Sequence, residues 1–152
     1  MPLNAVAHLN FHGEAREALE FYQSVFGGHL TTATYADFGM PADLPGATNI
    51  VFGQVTAENG FQVMAYDVPG SPAPAHPGVP STRRENGTTI TEEPFFLSVS
   101  GESIEEVTPV WDGLAKGATV IEAFGPAQWA PAFGMLADRF GVTWIVNVTA
   151  AR

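Results

Sequence analysis

The side chains best suited to chemistry begin with His8, Asn10 and His12. A spacing of two places all of them on one face of an extended segment, because strand side chains alternate. Two imidazoles flanking an amide can bind a ligand, move a proton or offer nitrogens to a metal. The same face can instead lie under a helix or at a subunit contact, hydrogen-bonded and inert. A His pair is by itself a weak catalytic signature, and the inert reading is favoured. A second set is aromatic and soft: Tyr66, Trp129 and Met135, with Met64. Trp129 follows Gly125-Pro126 and suits either an apolar lid over a ligand or a dimer seam. Arg83-Arg84-Glu85 reads as solvated, and Asp138-Arg139 as a turn with a surface ion pair. Trp144 alternates within the last apolar run and reads as core. The chain lacks Gly-x-Gly-x-x-Gly, a P-loop lysine, Gly-x-Ser-x-Gly and His-Glu-x-x-His. Without cysteine there is no thiolate nucleophile, disulfide or thiolate metal site.

These residues are carried by a chain that repeats itself. His8-Leu9-Asn10-Phe11-His12-Gly13-Glu14 aligns with Phe96-Leu97-Ser98-Val99-Ser100-Gly101-Glu102. Each segment is a short alternating strand that runs into Gly-Glu and then into an amphipathic helix, over 14–26 and 103–116. Ala15, Ala18, Leu19, Tyr22, Val25 and Phe26 form the first apolar stripe; Ile104, Val107, Trp111, Leu114 and Ala115 form the second. Gly27-Gly28 and Gly117 are suited to left-handed helix C-caps. Strands are predicted at 29–38, 49–57 and 61–68, then at 118–124, 132–137 and 142–148. Asn59-Gly60 is a strong hairpin signal between two of them. Each half reads β-α-β-β-β, giving an α+β fold of two modules, about 1–68 and 94–152. The proline-rich stretch 69–93 reads as a linker or mobile loop. Sixteen acids against six bases give a net charge of -10 in 152 residues. That balance disfavours nucleic acid and anionic membranes as partners, since phosphate binding needs clustered bases. With no apolar run of membrane-spanning length and no leader, a cytoplasmic location is expected.

The stretch Leu9-Asn10-Phe11-His12-Gly13-Glu14-Ala15-Arg16-Glu17-Ala18-Leu19-Glu20-Phe21-Tyr22, with Val25-Phe26-Gly27-Gly28, resembles the vicinal oxygen chelate superfamily. That superfamily includes glyoxalase I, bleomycin-resistance proteins and extradiol dioxygenases. Gln128-Trp129-Ala130, Phe133-Gly134-Met135 and Asp138 to Trp144 are similar to its PhnB-like branch. The resemblance implies paired βαβββ modules, curved mixed sheets that form a ligand cup with helices on the outer face, and a homodimer. In the superfamily's enzymes it implies a divalent metal held by His, Glu or Gln from the first and last strand of each module. Here those strands offer Ala7 or His8; Met64, Ala65 and Tyr66 with Asp67; Pro94, Phe95 and Phe96; and Trp144, Ile145 and Val146 with Asn147. A closed site needs three or four converging N or O donors. At best one His and one Asp or Asn are present, so no metal and no cofactor are expected, a divalent metal being the lesser alternative.

Two functions remain side by side. The first is a metal-free small-molecule-binding protein with a pocket drawn from His8, Asn10, His12, Tyr66, Trp129 and Met135. The alternative is a lyase, isomerase or oxygenase acting on a small metabolite, with or without metal. A homodimer is expected in either case, because Phe52, Val63, Phe95, Leu97, Phe133 and Ile145 lie on or near strands whose open faces one helix per module cannot cover. No glycine-rich nucleoside site supports a methyltransferase.

Overall fold

The structure is a computed structural model that describes residues 3–70 and 81–149. The chain divides into two compact units, Met1–Ala75 and His76–Arg152.

In the first unit, β1 (His8–Phe11) is followed by α1 (Ala15–Phe26), β2 (His29–Thr34), a 3-10 turn (Ala36–Phe38), β3 (Ile50–Thr56) and β4 (Gln62–Asp67). The sheet order is β1-β4-β3-β2, with β1 parallel to β4 and the other neighbours antiparallel. The helix buries Ala15, Ala18, Leu19, Tyr22 and Phe26 of the expected stripe, with Phe21 added and Val25 only half-buried; in the second helix Val107 and Leu114 are buried while Ile104 of the expected stripe is exposed. Leu9 and Phe11 of β1 and Val63 and Ala65 of β4 are buried, while His8 and Asn10 alternate outward. Gly53 of β3 sits where a Cβ would stand 2.3 Å from Leu19 Cδ1, so glycine permits the helix to approach. The β3–β4 hairpin turns at Asn59-Gly60, where Asn59 Oδ1 accepts from Phe61 N–H and its amide donates to Phe26 O.

The second unit begins with a hairpin, β5 (Arg83–Glu85) and β6 (Thr88–Ile90), then β7 (Leu97–Gly101), α2 (Ile104–Leu114), β8 (Thr119–Ala127), β9 (Ala130–Ala137) and β10 (Thr143–Val148). Its main sheet runs β7-β10-β9-β8, with β7 parallel to β10, the same arrangement as the first unit. Ser103 caps α2 by accepting from Glu106 N–H at 3.2 Å, as a Ser-x-x-Glu start requires. Gly134 of β9 repeats the role of Gly53: a Cβ there would stand 2.8 Å from the Trp111 ring. The α+β fold with two βαβββ modules, each a four-stranded mixed sheet with its own helix, is therefore the observed architecture.

Three sequence expectations change. The strand expected over 29–38 stops at Thr34, because the Asp37 carboxylate accepts from Thr34 N–H and folds the chain into the 3-10 turn. The strand expected over 118–124 continues to Ala127, so Gly125-Pro126 is strand rather than loop. The later part of the 69–93 segment is the β5–β6 hairpin, and 71–80 lies outside the described residues.

Gly28 is the most constrained glycine. Its φ is +98°, and an added Cβ would stand 2.4 Å from the Thr56 carbonyl oxygen. Gly28→Ala should destabilise the protein by about 2 kcal/mol, the scale of overpacking into unyielding backbone. Gly27→Ala, with open space around its Cβ and φ +77°, should cost less, both being measured by urea unfolding.

Candidate functional site

The face of the first sheet opposite α1 gathers the residues with polar reach. Thr31, Gln54, Met64 and His8 form one row across β2-β3-β4-β1. Asn10 and Tyr66 pair in the next row, on the same side. His8 Nδ1 lies 3.1 Å from Asn10 Oδ1, and the His8 ring meets Tyr66 edge-on at 5.4 Å. His8 and Asn10 are exposed, and Tyr66 and Met64 half-buried. His8 is thus not under the helix, because Leu9 and Phe11 hold that side of β1. In the tautomer that donates Nδ1–H to Asn10 Oδ1, the other ring nitrogen of His8, Nε2, is the acceptor.

His12 lies just past β1 and does not join the His8 pair. It lines a cavity of about 160 Å³ with Tyr35, Met40, Gly46, Asn49 and Val68. Burial, then the nearby charges of Tyr66 and Asp67, raises the Tyr35 phenol, whose O–H donates to Asp67 O at 2.6 Å. The Thr34 backbone and hydroxyl hold the Asp37 carboxyl below its usual range.

Trp129 and Met135 belong to the other unit. Ser98, Ile145, Met135 and Glu122 form a row on the face opposite α2, and Asn147 and Phe133 lie in the next. The β5–β6 hairpin lies against the Glu122, Met135 and Phe133 part of that face. Met135 is fully buried, with Thr89 Oγ1 3.7 Å from its sulfur. Arg84, expected to be solvated, has a side chain only 11% exposed. Its guanidinium lies 5.2 Å from the Phe133 ring centre and 5.6 Å from that of Trp129. Trp129 stands in the two-residue turn between β8 and β9, not on a lid loop. The signal that identifies this hairpin is Asn86-Gly87, with φ of 51° and 77°, the dipeptide that two-residue hairpin turns select.

The two buried aspartates are structural. Asp67 Oδ1 accepts from Gly13 and Ala15 N–H, and Oδ2 from Ile50 N–H. Asp138 is buried, not a surface partner: Oδ1 accepts from Phe140 and Val142 N–H, and Oδ2 from the Trp144 indole.

A family model described as the Glyoxalase/Bleomycin resistance protein/Dioxygenase superfamily matches residues 5–146. The chain belongs to this superfamily. It is similar to Protein YjdN of Escherichia coli strain K12, 27% identical over 150 residues that cover 97% of this chain and 95% of that one. Among solved structures it is similar to protein PA1353 of Pseudomonas aeruginosa, 31% identical, with TM-score 0.72 and 97% and 98% of the two chains covered. A PhnB protein from Bacillus cereus shares the fold at TM-score 0.68 and 22% identity, over 97% of this chain and 100% of that one. The match to PhnB-like proteins is therefore close in structure.

The metal that the superfamily's enzymes hold does not fit these residues. The open faces of the four strands concerned carry His8 and Asn10, Met64 and Tyr66, Ser98 and Ser100, and Ile145 and Asn147. Asp67 points to the helix side with both oxygens engaged. Among the described residues no three His, Asp or Glu side chains converge as a metal group. Divalent transition metals need three or four strong donors, and this set offers one imidazole. No helix among the described residues is long and apolar enough to cross a membrane.

Proposed function

We propose that this superfamily member binds a small organic molecule without a metal, on the open face of the first sheet. The observation that carries the reading is the row of His8, Met64, Gln54 and Thr31 beside Asn10 and Tyr66, turned away from α1. An aromatic edge, a thioether and several amide and imidazole groups suit a ligand with an apolar body and a few hydrogen-bonding groups. Thermal-shift screening against metabolites, antibiotics and divalent metals tests it. A true ligand at 100 times its Kd adds about 2.7 kcal/mol to stability. His8→Ala and Tyr66→Phe should each shrink that ligand's shift while leaving the unliganded melting temperature within about 1 °C, as surface substitutions do. Stoichiometric Ni, Zn, Mn or Fe lost on His8→Ala would overturn the metal-free reading.

One observation favours an enzyme instead. Asn10 Oδ1 is 3.1 Å from His8 Nδ1, an orienting contact that leaves Nε2 as a base. Turnover of a bound ligand, followed by NMR and lost in His8→Ala, would establish that second reading.

The homodimer is part of the proposal. Phe38 (73%) and Phe95 (52%) are large apolar side chains exposed in the chain. Val63 and Phe133, which the sequence placed among the uncovered residues, are buried, so the argument rests on a smaller set. Light scattering should give twice the 16.1 kDa chain mass at micromolar concentration. A mass of one chain at low and high salt would refute it.

A further inference from the structure

The second sheet's open face holds a site of a different kind from the one proposed above, on other residues, and its chemistry is displayed by what fills it. Trp129 and Phe133 meet edge-to-face at 5.1 Å and 68°, forming a corner of two aromatic walls. The Arg84 guanidinium sits against both rings. Its Nη1 donates to Thr89 Oγ1 at 2.8 Å, and its Nε lies 3.4 Å from Glu122 Oε1. Thr89 rides on the same hairpin as Arg84, so the part that stays with the sheet is two aromatic walls and a carboxylate, the groups that suit a flat cation. The rim is open: Trp129 is 56% exposed and the Glu122 side chain 44%, whereas the Arg84 side chain is 11% exposed. A solute therefore reaches the cage walls from outside before it meets Arg84.

The occupant is held lightly. It rides on a two-stranded hairpin of three-residue strands, a unit too small to be stable alone. The hairpin stays because Arg84 fills the corner and because its base is tied down. There Glu93 accepts from Thr143 Oγ1 at 2.9 and 3.0 Å, and Thr82 Oγ1 bonds both Glu93 and Thr91. The net charge of -10 adds a field that draws cations to the protein.

We propose that the Trp129–Phe133–Glu122 corner is a recognition site for a guanidinium-bearing small molecule, with Arg84 as its built-in competing occupant. A ligand of that class enters by displacing Arg84 and lifting the hairpin, so its apparent affinity in the wild-type protein is lowered by the competition.

The test uses butylguanidinium, with butylurea as the neutral isostere, read by tryptophan fluorescence and assigned with Trp129→Phe. Arg84→Ala should bind butylguanidinium about tenfold tighter than wild type or better, and butylurea no better than wild type does. Adding Glu122→Gln should remove most of that gain. Equal affinity of the two proteins for the cation, or equal gain for butylurea, overturns the proposal. Should Arg84→Ala not fold, hydrogen exchange in the wild type decides. Amides 83–90 should exchange faster with butylguanidinium than with butylurea, and unchanged exchange refutes displacement. None of these readouts involves His8 or Tyr66, so failure here and failure of the proposed first-sheet site are distinguishable.

Discussion

Asp67→Ala should destabilise the protein by about 4 kcal/mol, on the scale of charge-assisted hydrogen bonds lost with buried donors left unmade. Asp67 is 1% exposed and takes three backbone N–H groups from two separate places in the chain. Its Oδ1 takes Gly13 N–H at 2.7 Å and Ala15 N–H at 3.0 Å; its Oδ2 takes Ile50 N–H at 2.9 Å. The residue preceding α1, Glu14, makes no side-chain cap, so Asp67 supplies from β4 the anion that the helix N-terminus favours. Alanine strands the Ala15 and Ile50 donors in a buried setting. Asp67→Asn should cost less, about 2 kcal/mol, because its oxygen can serve Gly13 and Ala15 while its NH₂ group opposes Ile50 N–H. Urea unfolding monitored by circular dichroism measures both. An alanine variant within 1 kcal/mol of wild type would show that water replaces the carboxylate.

Asp138→Ala should cost about 3 kcal/mol and lower the melting temperature by about 8 °C for a chain of this size. The carboxylate binds Phe140 N–H at 2.9 Å and Val142 N–H at 3.0 Å, fixing the β9–β10 turn, and the Trp144 indole N–H at 2.9 Å. Trp144 is 1% exposed, so the carboxylate that its N–H loses with Asp138 is lost in a buried setting. A double-mutant cycle with Trp144→Phe isolates the indole bond, since residues in direct contact do not act additively. A coupling near zero would assign the whole effect of Asp138 to the turn.

Much of the fold is legible from the residues. Leu19, Tyr22 and Phe26 mark the buried side of α1 because a helix returns to the same face every 3.6 residues. Leu9 and Phe11 against His8 and Asn10 mark the two sides of β1 by strict alternation. Asn59-Gly60 announces its hairpin through the backbone angles that the turn demands. The candidate site is legible only in part. His8 and Asn10 are neighbours by alternation, but Tyr66 reaches them through a parallel pairing of β1 with β4, more than fifty residues away in sequence.

By itself the sequence determined the repeat, the module order, most of the buried face of α1 and the polarity of the His8 side of β1. All of these are written in local period, and local period needs no distant partner. Only the tertiary structure decided the fates of Asp67 and Arg84. Each side chain looks solvated in its own surroundings, and each is wholly or largely shielded where it meets groups brought from elsewhere. Asp67 finds N–H groups from the ends of two other elements, and Arg84 finds two rings more than forty residues later in the chain. A charge is buried when its partners converge, and convergence is a property of the folded chain rather than of any window along it.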